Sequence, residues 1–350
     1  MSSAATATRP AAQASASKAP ILDIRNLRTQ FPGDDGPITI VNDVSLSVSA
    51  RETLAVVGES GSGKTMTFLS SIGLLAKPGR VTAGQVLLDG TDLLKLPARE
   101  MRQLRGRKIS MVFQDPLSGL NPVFTIGDQI IEVLTAHQSI GRRQAREAAI
   151  ALLERVHIPD PHRRIDDYPH QFSGGMRQRA LIAMAIALKP KVLIADEPTT
   201  ALDVTVQAQI LELLSDLRDE NGMALVLITH DLGLVARYAH RVCVMYGGRV
   251  VELGELDDVF TAPRHPYTVS LFRSIPHLDT PADAELTPIE GQPPNPALLP
   301  PGCAFEPRCF NAHGRADCKT VVPPAVPTTQ PSHLSACHHW KELASLAVRS

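Results

Sequence analysis

The sequence predicts an α/β fold: a mixed or parallel sheet with an inserted helical subdomain, followed by a small, loop-rich, cysteine-containing region. Three observations predict it. Residues Gly58 to Thr65 read G-E-S-G-S-G-K-T and follow directly on the apolar run Leu54–Val57. Strand-like runs alternate with helical patterns on either side of a mainly helical stretch, about 95 to 190. The last ninety positions crowd with prolines and hold four of the five cysteines.

Strands are expected at Ile21–Leu27, Ile38–Val48, Leu54–Val57, Gln85–Leu88, Ile109–Phe113, Val192–Ala195, Ala224–Thr229 and Val242–Tyr246. The short ones are continuous apolar runs, as parallel strands covered on both faces require. Helical spacing predicts helices over Met66–Leu75, Gln129–Leu134, Arg142–Val156, Met176–Leu188, Val204–Arg218 and Leu232–Ala239. The first nineteen residues are Ala/Ser/Thr-rich, carry Arg9 and Lys18 without an acid, and lack the apolar block of a secretory signal. They read as a disordered tail, with an organelle transit peptide as the alternative.

Composition excludes several classes. The 35 basic residues balance 36 acidic ones, so no global field favours nucleic acid or an anionic membrane. The longest apolar stretch, Ala180–Leu188, is about half of what spans a bilayer. The 43% apolar content suffices for a large core in a chain of 350 residues.

The octapeptide carries the chemistry. A strand, a glycine-rich turn and a helix aim backbone N–H groups and a helix dipole at a polyphosphate. Gly58, Ser60, Gly61, Ser62, Gly63, Lys64, Thr65 and Met66 line the expected ATP site, with Lys64 on the outer phosphates and Thr65 on Mg²⁺. A second strand, Val192–Ala195, ends in Asp196 and Glu197. Ligands bind beyond the carboxyl ends of parallel strands, so Asp196 is expected to anchor Mg²⁺ and Glu197 to polarise the attacking water. Two further strand ends carry Gln114 and His230, completing an inventory suited to phosphoryl transfer.

Residues Phe172 to Arg179 read F-S-G-G-M-R-Q-R. They resemble the Leu-Ser-Gly-Gly-Gln signature of ABC-type ATPases, with Phe172 for Leu and Met176 for Gln. Ser173 would begin a helix whose free amides bind an anion. The resemblance implies that Ser173, Gly174 and Gly175 complete the ATP site of a second ATPase subunit. It also makes Gln114 the Q-loop, Asp196 and Glu197 the Walker B pair, His230 the switch histidine and Ala201-Leu202-Asp203 the D-loop. Gln114 joins Thr65 and Asp196 around Mg²⁺ in that scheme. Phe31 is the candidate for stacking on adenine, with a packing role as the alternative.

The resemblance spans roughly residues 20 to 260, and residues 261 to 350 form an extension. The Q-loop Phe113 to Pro122, the segment Thr199 to Gln207 and His265-Pro266-Tyr267-Thr268 are similar to ATPases of oligopeptide and dipeptide importers. This implies a homologous ATPase partner in a heterodimer, two membrane permease subunits and an extracytoplasmic peptide-binding protein, with this chain peripheral at the cytoplasmic face. Relatives with the same motifs import nickel or glutathione. A DNA-maintenance ATPase of the same fold is the more distant rival; such ATPases carry long coiled coils that the short, proline-interrupted insert here lacks.

Cys243 reads as a buried strand residue. Cys303, Cys309, Cys318 and Cys337 suit tetrahedral zinc or a [4Fe–4S] cluster, with His338 and His339 as alternative ligands to Cys337. The resemblance to importer ATPases implies the iron–sulfur cluster.

Overall fold

The computed structural model describes residues 19–200, 202–274 and 288–346. In chain order, β1 (Leu22–Phe31) and β2 (Ile38–Val48) precede β3 (Thr53–Val57), which feeds α1 (Lys64–Ser71). Next come β4 (Arg80–Leu88), β5 (Thr91–Asp92), α2 (Ala98–Leu104) and β6 (Ile109–Val112). Five helices follow: α3 (Pro116–Gly119), α4 (Ile126–His137), α5 (Arg142–Arg155), α6 (Pro161–Arg164) and α7 (Gly174–Ile186). The chain then alternates through β7 (Val192–Asp196), α8 (Val204–Asn221), β8 (Ala224–Ile228), α9 (Leu232–Tyr238), β9 (Arg241–Tyr246) and β10 (Arg249–Glu255). The remainder holds α10 (Leu256–Thr261), α11 (Pro266–Arg273), α12 (Ala316–Thr320), β11 (Val326–Pro327) and β12 (Leu334–Ser335).

The strands form two sheets. One has the order β2-β1-β4-β5 and is antiparallel. The other runs β11-β12-β10-β9-β3-β8-β7-β6, parallel from β9 to β6 and antiparallel beyond β9. Strands β3, β7 and β8 are buried along their whole length, which explains their unbroken apolar sequence. Their side chains still alternate between two cores. Val192 and Ile194 join Leu22, Val41 and Val86 between the sheets, whereas Leu193 and Ala195 face a core built with α4, α5, α7 and α8.

The helical subdomain begins after β6, later than residue 95. Leu93 and Met101 lie in the intersheet core, and β6 pairs with β7, so residues 93 to 112 belong with the sheets. The extension is likewise joined to the eight-stranded sheet, because β12 adds to β10 through Glu252↔Ser335 and Leu253↔Leu334. Buried Glu252 reinforces that joint: it accepts the backbone N–H groups of Arg264 and His265 and lies 2.7 Å from His333 Nε2. The expected tail falls, but for residue 19, outside the described residues. Among the described residues no helix is long and apolar enough to cross a membrane.

Candidate functional site

The parallel register sets the carboxyl ends of four strands side by side: Val112 beside Ala195, Asp196 beside Ile228 and Val56 beside Ile228. Gln114, Asp196, Glu197, His230 and the turn after β3 therefore share one sheet edge. Gly58 adopts φ +147°, and a Cβ there would meet the Met245 carbonyl oxygen at 2.2 Å. Only glycine lets the turn pass so close to β9.

Lys64 opens α1, and its ammonium donates to the carbonyls of Gly58 (2.7 Å) and Glu59 (2.9 Å) and to Ser62 Oγ (3.4 Å). Burial lowers its pKa against the opposing pull of Glu197, Asp196 and Glu59. Thr65 Oγ1 donates to Asp196 Oδ1 at 3.0 Å, and burial raises the pKa of that carboxyl. Glu197 stands at φ +44° just past β7. Its carboxylate accepts from Gln114 Nε2 (2.7 Å) and Thr200 Oγ1 (2.9 Å) and lies 3.3 Å from His230 Nδ1. Ser60 and Gly61 are exposed on the turn, Gly63 caps α1, and Met66 lies half-buried in its first turn.

Gln114 donates its amide N–H to the Glu197 carboxylate, a charge-assisted bond, while Thr65 and Asp196 pair with each other. Thr200 was not singled out from the sequence; its place three residues after Glu197 was the available signal. Phe31 is the last residue of β1, and the edge of its ring packs against Gly79.

Ser173 caps α7 by accepting from the Met176 N–H, and Asp203 caps α8 by accepting from the Val206 N–H. A Cβ at Gly174 would meet Leu202 at 3.4 Å and one at Gly175 would meet Val206 at 2.8 Å, so the starts of the two helices are neighbours. Among the described residues no hydrogen bond joins 173–175 to the turn 58–65. Phe113, Val123 and Phe124 are exposed around the loop after β6.

The four extension cysteines line one small pocket with His265 and Phe305. Burial pushes the Cys309 thiol up to about 11 and the Cys337 thiol up to about 12, and raises Cys303 and Cys318 as well. His339 pairs with Asp317 at 2.9 Å, and His338 Nε2 lies 3.0 Å from the Val321 carbonyl. Cys243 is fully buried in β9, its thiol pushed up to about 12 by burial.

Comparison with known proteins agrees with this geometry. The family described as "ABC transporter" matches residues 41–200, and "Oligopeptide/dipeptide transporter, C-terminal region" matches 251–318. A putative peptide import ATP-binding protein of Brucella melitensis is 51% identical over 340 residues, covering 94% of this chain and 100% of the relative. The chain belongs to the ABC transporter family, in its oligopeptide/dipeptide branch. The oligopeptide transport ATP-binding protein OppD of Salmonella typhimurium is 47% identical over 317 residues, covering 91% of this chain and 93% of OppD. Among solved structures, an ATP-binding cassette described as a dimeric post-hydrolysis state bound to ADP and Pi superimposes with a TM-score of 0.61 at 27% identity. It covers 67% of this chain and 98% of that cassette. The ABC ATPase fold of this chain is that of a P-loop enzyme that binds ATP.

Proposed function

We propose that this chain is the ATP-hydrolysing subunit of an importer of short peptides, peripheral at the cytoplasmic face of the membrane. One observation carries the reading: Glu197, beside the phosphate-binding turn, gathers Gln114, Thr200 and His230 on a single carboxylate. Lys64 and the amides of residues 58–66 bind the triphosphate. Thr65 and Asp196 form a hydroxyl–carboxylate pair of the hard-oxygen type that Mg²⁺ prefers; the bound ion would neutralise phosphate charge. Glu197 takes the proton of the attacking water, and His230 and Gln114 hold that water and the carboxylate in line. Phe31 offers the adenine an aromatic edge.

Ser173, Gly174, Gly175 and Asp203 serve a second ATPase subunit, homologous to this one, whose own turn receives them. Exposed Phe113, Val123 and Phe124 supply an apolar surface for two permease subunits, which a peptide-binding protein outside the membrane loads. The near-balanced charge supports no nucleic-acid partner.

For the extension, the thiol set supports a [4Fe–4S] cluster over zinc. Tetrahedral zinc at about 2.3 Å from each sulfur would draw the sulfurs to roughly 3.8 Å of one another. Among the described residues, the set of three ligand atoms mutually within 4.8 Å is Asp317, Cys318 and His339, and no three of the four thiols meet that spacing. Cys303, Cys309, Cys318 and Cys337 would hold the cluster, in a structural or regulatory role.

Reconstitution with permeases and binding protein tests the function: di- to pentapeptides should stimulate phosphate release. Stimulation by nickel or glutathione instead of peptides would move the cargo and keep the ATPase. Recovery of DNA with the purified chain, and no membrane subunits, would overturn the transport reading.

A further inference from the structure

The extension reaches into the phosphate-binding turn. Arg308 lies in a tight turn, Glu306–Arg308, bracketed by Cys303 and Cys309 and tied to them by the Glu306 N–H to the Cys303 carbonyl and the Cys309 N–H to the Glu306 carbonyl. Its guanidinium donates to both carboxylate oxygens of Glu59, at 2.7 and 3.0 Å, and to Tyr246 Oη at 3.1 Å. It also donates through Nε to the Glu290 carbonyl at 2.8 Å. The side chain is only 6% exposed. Glu59 is the second residue of the turn, and its own N–H donates to Tyr267 Oη at 2.7 Å. Tyr246, Tyr267 and Phe305 pack around this contact in tilted and edge-to-face pairs, with centroids 4.5 to 5.3 Å apart.

The electrostatic consequence follows from Glu59's position. Its charge acts on Lys64, the cation expected on the outer phosphates. An uncompensated carboxylate there would compete with phosphate for Lys64 and repel a tetra-anionic nucleotide. The bidentate arginine cancels that charge in a partly desolvated site, where the fork-to-carboxylate geometry is strongest. We propose that Arg308 is a positioning residue of the nucleotide site, holding and neutralising Glu59 so that the turn presents its lysine and amides to the triphosphate. This rests on the ATP reading of residues 58–65 and extends the site to a residue 249 positions away in sequence. The joint of β12 to β10 and the three packed rings hold the extension against β9, so the arginine is presented by a fixed frame.

The test measures the affinity of the full-length chain for a fluorescent ATP analogue with Mg²⁺, and KM and kcat of the reconstituted transporter. Arg308→Gln should raise the Kd about tenfold, more at low salt than at high salt. The loss should fall on KM, with kcat within about twofold. Glu59→Gln in the same chain should recover most of the affinity, because the repelling charge is gone, and Glu59→Gln alone should bind more tightly than the wild type. A merely structural pair would also be relieved by removing both charges; what it would not give is a salt-dependent loss of affinity at an unchanged melting temperature. The proposal is overturned if Arg308→Gln, melting within a few degrees of the wild type, keeps the wild-type Kd, or if the double variant binds as poorly as the single one. A wild-type chain that binds no MgATP would strike the ATPase reading itself.

Discussion

Replacing Glu197 by Gln should stop turnover while leaving the nucleotide site assembled. The wild-type carboxylate takes hydrogen bonds from Gln114 and Thr200 at 2.7 and 2.9 Å and faces His230 at 3.3 Å. A glutamine of the same length retains one acceptor oxygen for two donors, and its new amide meets the third partner after a flip of Gln114 or a tautomer change of His230. The left-handed backbone at residue 197 costs glutamine no more than glutamate. The folding penalty should therefore stay within about 1 kcal/mol. What disappears is the proton acceptor. General-base catalysis contributes about 10²- to 10⁴-fold, which is roughly 3 to 5 kcal/mol of barrier.

The assay is phosphate release at saturating MgATP, run beside the Kd for the fluorescent analogue and size-exclusion chromatography of the ATPase pair. The expected result is turnover down at least about a hundredfold, with nucleotide still bound and the closed pair accumulating. The reasoning fails if the variant keeps a third of wild-type turnover, since a base cannot be that dispensable. It fails equally if turnover is lost because nucleotide no longer binds, for then Glu197 is part of the binding frame and not the base.

Asp196→Asn should raise the Mg²⁺ concentration for half-maximal turnover about 10- to 100-fold, read by a Mg²⁺ titration; an unchanged titration would remove Asp196 from the metal. Gly302→Ala places a Cβ 2.3 Å from the Cys318 carbonyl and 2.5 Å from the Lys319 carbonyl carbon. It should lower stability by about 2 to 4 kcal/mol, visible as an early transition in a thermal melt. On the cluster proposal, the wild type purified anaerobically should be brown and hold iron, and Cys309→Ser should lose both; stoichiometric zinc in the wild-type protein would exclude the cluster.

Legibility in the sequence followed the range of the interactions. Strand β2 matches its expected bounds at both ends, because alternation and flanking turns are local. Helix α4 starts three residues before the expected Gln129, at Ile126, since Thr125 caps it by accepting from the Asp128 N–H; the cap was present in the sequence and outweighs the apolar count. Strand β10 was missed although Gly247-Gly248, both with positive φ, join it to β9 as a two-residue hairpin. The two-residue strands β11 and β12 carry too few side chains to show a period. At the site, residues that end strands were legible because strand ends announce themselves. Tyr267 reads from sequence as a linker residue, yet its hydroxyl takes the Glu59 N–H. That contact and the Arg308–Glu59 pair join distant segments, and no local pattern signals which arginine meets which glutamate.

The hydrogen bonds of the chain also bear on why a partner should control turnover. Lys64 gives its donors to two carbonyls of its own turn and a serine, and Glu197 is held by three neighbours. Phosphate must displace the lysine's contacts, and the attacking water must displace at least one donor from Glu197. Each exchange trades one set of polar contacts for another, so its net free energy is small beside its gross terms. A small net term is readily tipped by whatever closes the site, and one chain does not bring Ser173 to its own turn by any hydrogen bond among the described residues. In the proposed importer, docking of a second subunit's signature helix would supply the free energy that commits the site to hydrolysis. The control point would then lie at that interface, which permeases would reach through the exposed loop after β6.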